Sequence, residues 1–407
     1  MPSGPQVVVT GLGTVNALAG SVHEFATALR AGTCAIGPVT VFDTTGYRSR
    51  IAAEVPHELA EAPSGPGAAL RRRLSRSDVF ALRAAAEALA DAGLPGDVAP
   101  ERIGLALGGT TGGMLRGEAS LRARIQGTRD RYPSAAVVGA PISASADVLA
   151  DAFDVAGPRL SLSTACSSSA NALGAALDWI ALGRADVVVA GGTESLCRMT
   201  FAGFNALHAL SLEPCRPFDR GRSGLSLGEG AAILVVESAE HAARRGARAH
   251  AELLAYGNSA DAHHLTAPHP EGTGAILAMR RALERAGLEP DAIDYINAHG
   301  TGTPLNDAVE AAAIAAVFGD AAPHLAVSST KGAVGHTLGA AGAIEALATI
   351  LALRDGFLPP TVNLDDPDPA CLLDLVPRTS RPAALRYALS NSYGFGGNNT
   401  SVVLGHA

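Results

Sequence analysis

The chain of 407 residues is 47% apolar and 17% charged, with 46 Gly and 24 Pro, which is enough for two or three domain-sized units and too apolar for disorder. Its net charge of −8 and the absence of a long basic tract exclude a dedicated nucleic-acid binder, and no run of 18 apolar residues is present to span a membrane as a helix. Five cysteines are too sparse and odd in number for a disulfide framework, and Met1–Gln6 lacks a cationic-to-apolar leader, so a reducing cytoplasm is the expected compartment.

Strands and helices alternate from the start. Val7–Gly11 reads as a buried strand closed by glycine, and His23–Ala31 as the helix after it. The Pro/Gly/Ser-rich stretch Ala62–Ala68 reads as a surface loop. Ser77–Ala92 has apolar residues at helical spacing and stops at Gly93. Ile103–Leu107 is a short apolar strand running into GGTTGG at 108–113. Ser168–Leu182 is helical, Asp186–Gly191 is a buried strand, and the strand Ala231–Glu237 ends a first half.

A second half repeats the pattern. Ala251–Gly257 is a strand, Gly274–Ala286 a helix, and Ile293–Asn297 a strand feeding HGTGT. Leu325–Ser328 is a strand and Gly339–Leu353 a helix, and Ala388–Ser392 and Ser401–Leu404 are strands joined through GFGGNN. Such alternation predicts an α/β fold with mainly parallel sheets. The segment 162–166 (LSTAC) aligns with 327–331 (VSSTK) at an offset of 165, and Gly109 and Gly112 align with His299 and Gly302 at an offset of 190. Their common order implies an internal duplication, with halves at 1–245 and 246–407 packed as one unit and equivalent strand ends facing one site.

The chemistry-bearing residues cluster at those strand ends. Cys166, in STACSSSANAL, opens a helix, where unpaired N–H groups and the helix dipole favour a thiolate. Cys34, Cys197, Cys215 and Cys371 lack that setting and read as structural. His299 follows the strand YINA, and His336 lies five residues after Lys331 among Gly332, Gly335 and Gly339. Lys331 is the one lysine in a chain with 30 arginines, which suggests that an ammonium is needed there. The turn GFGGNN (394–399) offers N–H groups for an oxyanion, but neither it nor GGTTGG has dinucleotide-binding spacing. The irregular spacing of His263, His264 and His269 does not make a metal motif, and no catalytic metal is expected.

STACSSSA, NAHGTGTPLND, SSTKGAVGHTLGAAGA and NSYGFGGNN, in this order, resemble the β-ketoacyl-acyl-carrier-protein synthases, the condensing enzymes of fatty-acid and polyketide synthesis. The resemblance runs from VVTGLG to SVVLG. It implies the thiolase fold, a duplicated five-layer α/β/α/β/α arrangement, and a homodimer or a heterodimer with a chain-length-factor-like subunit. A Cys-His-His set resembles the elongating branch rather than the initiating one.

The resemblance also implies roles. Cys166 would carry the acyl chain, and His299 and His336, as neutral imidazoles, would hold the malonyl thioester carbonyl during decarboxylation. The N–H groups of Cys166 and Phe395 would bind the oxyanion, and Phe395 would also act as a gate. Lys331 would support the histidines and pair with Glu310. Thr266, Thr301 and Thr303 would hold the phosphopantetheine arm of an acyl carrier protein, so no cofactor of the enzyme's own is implied. Thr111, Ala165, Thr200 and Phe204 would line the acyl pocket. Arg71, Arg72, Arg73 and Arg76 would dock the acidic carrier. Thr111 replaces a bulky aliphatic gate with a smaller, more polar one that would accept a stiff or unsaturated chain, and the short PCRPFD loop and the NN after GFGG resemble synthases of reducing, polyene-type type II pathways. His208 stands where a docking arginine is often found. The alternatives are a fatty-acid elongating synthase, a synthase subunit that needs a chain-length factor, a non-condensing partner subunit, and a CoA-dependent thiolase. The need for neutral imidazoles predicts that condensation falls at acid pH.

Overall fold

The computed structural model describes residues 5–62, 73–94, 96, 98–128 and 134–407; the loop expected at 62–68 falls outside them from residue 63 on. Eleven strands form one sheet: β1 (Val7–Asn16), β2 (Ile103–Gly108), β3 (Arg159–Leu162), β4 (Val187–Glu194), β5 (Gly230–Ser238), β6 (Ala251–Ala260), β7 (Tyr295–Asn297), β8 (Ala326–Ser328), β9 (Asp374–Leu375), β10 (Tyr387–Gly394) and β11 (Asn398–Gly405). Their spatial order is β9-β8-β7-β10-β11-β6-β1-β5-β4-β2-β3. The block β3-β2-β4-β5-β1 has the same order as β8-β7-β10-β11-β6, and the two meet where β1 pairs with β6 through Val8–Glu252 and Val9–Ala251.

Helices complete five layers. Helices α1 (Arg76–Ala92) and α2 (Ser143–Phe153) cover one block, and α5 (Thr273–Ala286) and α6 (Pro304–Phe318) cover the other. Helices α3 (Ser168–Ala181) and α7 (Ala341–Asp355) pack against each other between the blocks. A further helix, α4 (Arg198–Ala206), lies near the site described below. The middle layer explains the composition of α7, which is buried from Ala341 to Leu353 and apolar on all sides rather than along one stripe. No helix among the described residues is long and apolar enough to cross a membrane.

Two expectations change. The sheet is mixed: β2 runs parallel to β3 and β4, and β7 parallel to β8 and β10, while β4–β5, β5–β1, β10–β11 and β11–β6 are antiparallel. Strand β1 does not stop at Gly11 but continues to Asn16 along β5. Gly11 and Gly13 are there because α1 lies directly on the strand; a Cβ at either would come within about 2 Å of the Ala88 or Ala84 carbonyl oxygen.

Candidate active site

Cys166 stands between the end of β3 and the start of α3. Ala165 is held at φ 52°, a left-handed conformation that bends the chain sharply before the cysteine. Ser168 pins this turn, its Oγ accepting from the Thr164 N–H at 2.9 Å and donating to the Ala165 carbonyl at 2.5 Å. Cys166 is only 6% exposed, and the backbone N–H of Phe395 is directed at its thiol.

The other half supplies the partners. Lys331 follows β8 as Cys166 follows β3, and the segment 331–340 crosses to the thiol. His336 Nε2 lies 3.1 Å from Cys166 Sγ, and the His336 Nδ1 accepts the Leu338 N–H at 3.1 Å. His299 follows β7, with its ring centroid 5.2 Å from that of His336 and nearly perpendicular to it. Lys331 Nζ donates to His299 Nδ1 at 3.2 Å. With both Nδ1 atoms accepting, each neutral imidazole carries its proton on Nε2. Burial, followed by the charge of Lys331, holds both histidines well below the usual imidazole range. The site therefore holds two neutral N–H donors beside one thiol.

Ligand atoms of Cys166, His299 and His336 all lie within 4.8 Å of one another, a spacing a cation could use. The hydrogen bonds at the two Nδ1 atoms turn protons rather than lone pairs toward that point, and Lys331 adds a positive charge behind His299. The donor set fits an incoming oxyanion better than a metal ion.

Several expected assignments are revised. Lys331 forms its ion pair with Glu345 of α7, not with Glu310. Glu345 is the one charged side chain among residues 341–353, and a carboxylate in that apolar layer requires a partner; burial pushes it up to about 7. Glu310 accepts the N–H groups of His299 and Gly300 at 2.8 and 2.7 Å, so it fixes the His299 loop rather than the lysine. The thiolate expected at Cys166 is also revised, because burial pushes the thiol up to about 11 despite Lys331 and the Phe395 N–H.

A cavity of about 320 Å³ opens onto Cys166, His299 and His336. Thr266, Thr301 and Thr303 line it, as do Phe204 and Phe395, whose rings stack with centroids 5.6 Å apart. Ala165, Thr111 and Thr200 are not among its lining residues. The Thr111 hydroxyl donates to the Glu194 carboxylate and sits 3.0 Å from the Ser195 carbonyl oxygen, so the polar gate expected there is tied into the protein. Glu194 also accepts the N–H groups of Thr110, Thr111 and Gly339 at 2.9, 2.7 and 2.9 Å, joining the 108–113 loop to the segment that bears His336. The Thr200 hydroxyl faces the Cys197 thiol at 3.1 Å. Glu194 and Glu345 do not stand out in the sequence as site residues; a lone acid inside the apolar run AGAIEALATILAL is the available signal for Glu345.

The basic cluster divides. Arg71 and Arg72 lie outside the described residues, and Arg73 is exposed. Arg76 is not free to dock a partner, because its guanidinium grips the fully buried Glu229 and donates to the Val55 carbonyl at 2.8 Å. Arg76→Ala would strand the Glu229 carboxylate without its cation, and is expected to lower unfolding stability by about 3–5 kcal/mol in urea titrations. A loss below about 1 kcal/mol would contradict this structural role.

Comparison with known proteins is consistent across the whole chain. The family description "Beta-ketoacyl synthase, N-terminal domain" matches residues 5–242, and "Beta-ketoacyl synthase, C-terminal domain" matches residues 250–365. The 3-oxoacyl-[acyl-carrier-protein] synthase 2 of Coxiella burnetii is 41% identical over 411 residues, covering 98% of both chains. Among solved structures, the ishigamide ketosynthase/chain length factor superposes with a TM-score of 0.92 at 37% identity, covering 100% of both chains. The AntDE:AntF complex, a type II PKS acyl-carrier protein with its ketosynthase bound to the hexaketide, superposes with a TM-score of 0.91 at 31% identity, also covering 100% of both chains.

Proposed function

We infer the reaction from one premise: the chain belongs to the beta-ketoacyl synthase family. It is a 3-oxoacyl-acyl-carrier-protein synthase of the elongating type, joining malonyl-carrier protein to an acyl chain by decarboxylative Claisen condensation. The observation that carries the residue roles is the pair of Nε2–H donors aimed at the space beside the Cys166 thiol.

The roles follow in order. Cys166 sulfur attacks the acyl thioester, the carrier's pantetheine thiol leaves, and the cysteine proton passes to it. The carboxylate–carbon bond of malonyl-carrier protein then breaks, CO₂ departs, and its bonding pair becomes an enolate held by the Nε2–H groups of His299 and His336. The enolate carbon bonds to the acyl carbonyl, whose oxyanion is held by the N–H groups of Cys166 and Phe395. Collapse expels the Cys166 thiolate and releases β-ketoacyl-carrier protein, lengthened by two carbons. Thr266, Thr301 and Thr303 hold the 4′-phosphopantetheine arm, which belongs to the carrier, and the enzyme needs no cofactor. The test is a mixture of enzyme, acyl-carrier and malonyl-carrier protein: CO₂ and β-ketoacyl product should form in equal amounts. CO₂ without a ketoacyl product would instead indicate a decarboxylase-like subunit.

The finer reading is a reducing, polyene-type type II pathway, with a second subunit that is either another copy or a chain-length factor. Among the described residues strand β3 ends the sheet and pairs with β2 alone, which leaves an edge for such a subunit. A ketosynthase/chain length factor among the similar structures supports the second option. Equal turnover of saturated C8–C14 chains and polyenoyl chains would contradict the polyene reading.

The pH expectation from sequence is revised by the site. With both imidazoles held well below the usual range by burial and by Lys331, malonyl decarboxylation should not fall with a midpoint near 6.5, and any acid loss should come well below it. Acylation of Cys166 should instead rise with pH, since a thiol near 11 gains thiolate roughly tenfold per unit below that value. Separate rates for the two half-reactions test this; a decarboxylation rate that falls with a midpoint near 6.5 would contradict it.

A further inference from the structure

Glu194, the last residue of β4, is fully buried and takes no part in the reaction steps above. Its carboxylate gathers five donors. Oε2 accepts the N–H groups of Thr110 and Gly339 at 2.9 Å each and the Thr110 hydroxyl at 2.5 Å, while Oε1 accepts the Thr111 N–H at 2.7 Å and the Thr111 hydroxyl. A backbone N–H can only donate, so this arrangement fits the ionised form, which accepts at both oxygens. Burial pushes the carboxyl upward, and the hydrogen bonds from Thr110, Thr111 and Gly339 oppose it. A buried carboxylate is costly, and this one is spent on joining two loops.

One of its bonds reaches the histidine. The His336 backbone is pinned by its N–H donating to the Ser226 carbonyl at 2.7 Å and by the Gly228 N–H donating to its carbonyl at 2.9 Å. The ring is set separately, by the Leu338 N–H donating to Nδ1. Leu338 makes this contact from a left-handed conformation, φ 49°, which is strained for a bulky side chain and persists only where its surroundings hold it. Two contacts hold it. Its side chain is buried in an apolar cluster with Phe201, Leu225 and Leu227, and the next residue, Gly339, is tied to Glu194. The fit at Gly339 is close: a Cβ there would come within 2.6 Å of the Gly109 Cα and 2.8 Å of the Glu194 Oε2.

We propose that Glu194 is a positioning residue for His336: by holding Gly339, and through it the left-handed Leu338, it keeps the His336 Nε2–H turned toward the enolate. This rests on the decarboxylation step assigned above to the two histidines. His299 is held by other groups, Lys331 at its Nδ1 and Glu310 at its backbone N–H, so Glu194 acts on one donor of the pair.

The test is the rate of CO₂ release from malonyl-carrier protein in a double-mutant cycle between Glu194 and His336. Glu194→Gln keeps the side-chain volume but turns an amide donor toward one of the backbone N–H groups. It should lower kcat for decarboxylation about tenfold and leave KM unchanged, because the loss is one of orientation rather than of binding. In a His336→Ala enzyme the same change should cost less than about twofold, and in a His299→Ala enzyme it should cost the full factor. Acylation of Cys166 should stay within about threefold of wild type in Glu194→Gln, which shows that the fold and the thiol are intact. An unchanged decarboxylation rate in Glu194→Gln would overturn the proposal. An equal loss in the wild-type and His336→Ala backgrounds would also overturn it, by making Glu194 a support of the whole site, and so would a parallel loss of acylation and decarboxylation. All three outcomes leave the condensation reading standing. A wild-type enzyme that releases no CO₂ from malonyl-carrier protein would remove the reading and the proposal together.

Discussion

Replacing Cys166 with alanine is expected to abolish acyl transfer and condensation, a loss of at least about 10⁴-fold, while malonyl decarboxylation stays within about tenfold of wild type. The split follows from how the site is divided. The thiol comes from the β3–α3 turn, and the two Nε2–H donors come from the loops after β7 and β8. The tautomers of the histidines are set by Leu338 and Lys331, not by the cysteine. Removing the sulfur therefore leaves an enolate-stabilising pair with no acyl acceptor. Loss of both activities together would mean that the thiol is needed to position the histidines, and the assignment of separate roles would fail.

His299→Ala should show the reverse pattern. One of two preorganised donors to the enolate is lost, which in comparable oxyanion sites lowers the rate about 10²–10³-fold. Acylation should persist, because Cys166, the Phe395 N–H and the His336 contact at 3.1 Å remain. A His299→Ala enzyme that accumulates acyl-Cys166 but cannot decarboxylate malonyl-carrier protein would establish the division of labour. The acylation itself serves as the folding control. Unchanged decarboxylation would place the enolate elsewhere, while loss of acylation would give His299 a part in the first step.

Much of this is legible in the sequence because the fold repeats itself. Cys166 and Lys331 occupy the same place after equivalent strands, so the 165-residue offset between LSTAC and VSSTK is enough to pick out both. The hairpin between β10 and β11 is likewise announced by the GFGGNN turn. The partner of Lys331 is not legible. Glu310 and Glu345 are both acids on helices near the site, and only the packing of α7 between the two blocks decides which one meets the ammonium. Arg76 shows the same limit, because its position in an arginine-rich stretch carries no sign that the first turn of α1 reaches the buried Glu229. The protonation of the Cys166 thiol is hidden for a related reason: a helix N-terminus is visible in sequence, but the burial that raises the thiol is not.

The most direct measurement is the intact mass of the enzyme, with peptide mapping, after mixing with an acyl-carrier protein and then with malonyl-carrier protein. The account predicts one acyl group gained on the peptide containing Cys166, then lost as a β-ketoacyl product two carbons longer is released. An enzyme that stays unmodified by every acyl chain, or that carries the acyl group on another residue, would contradict it.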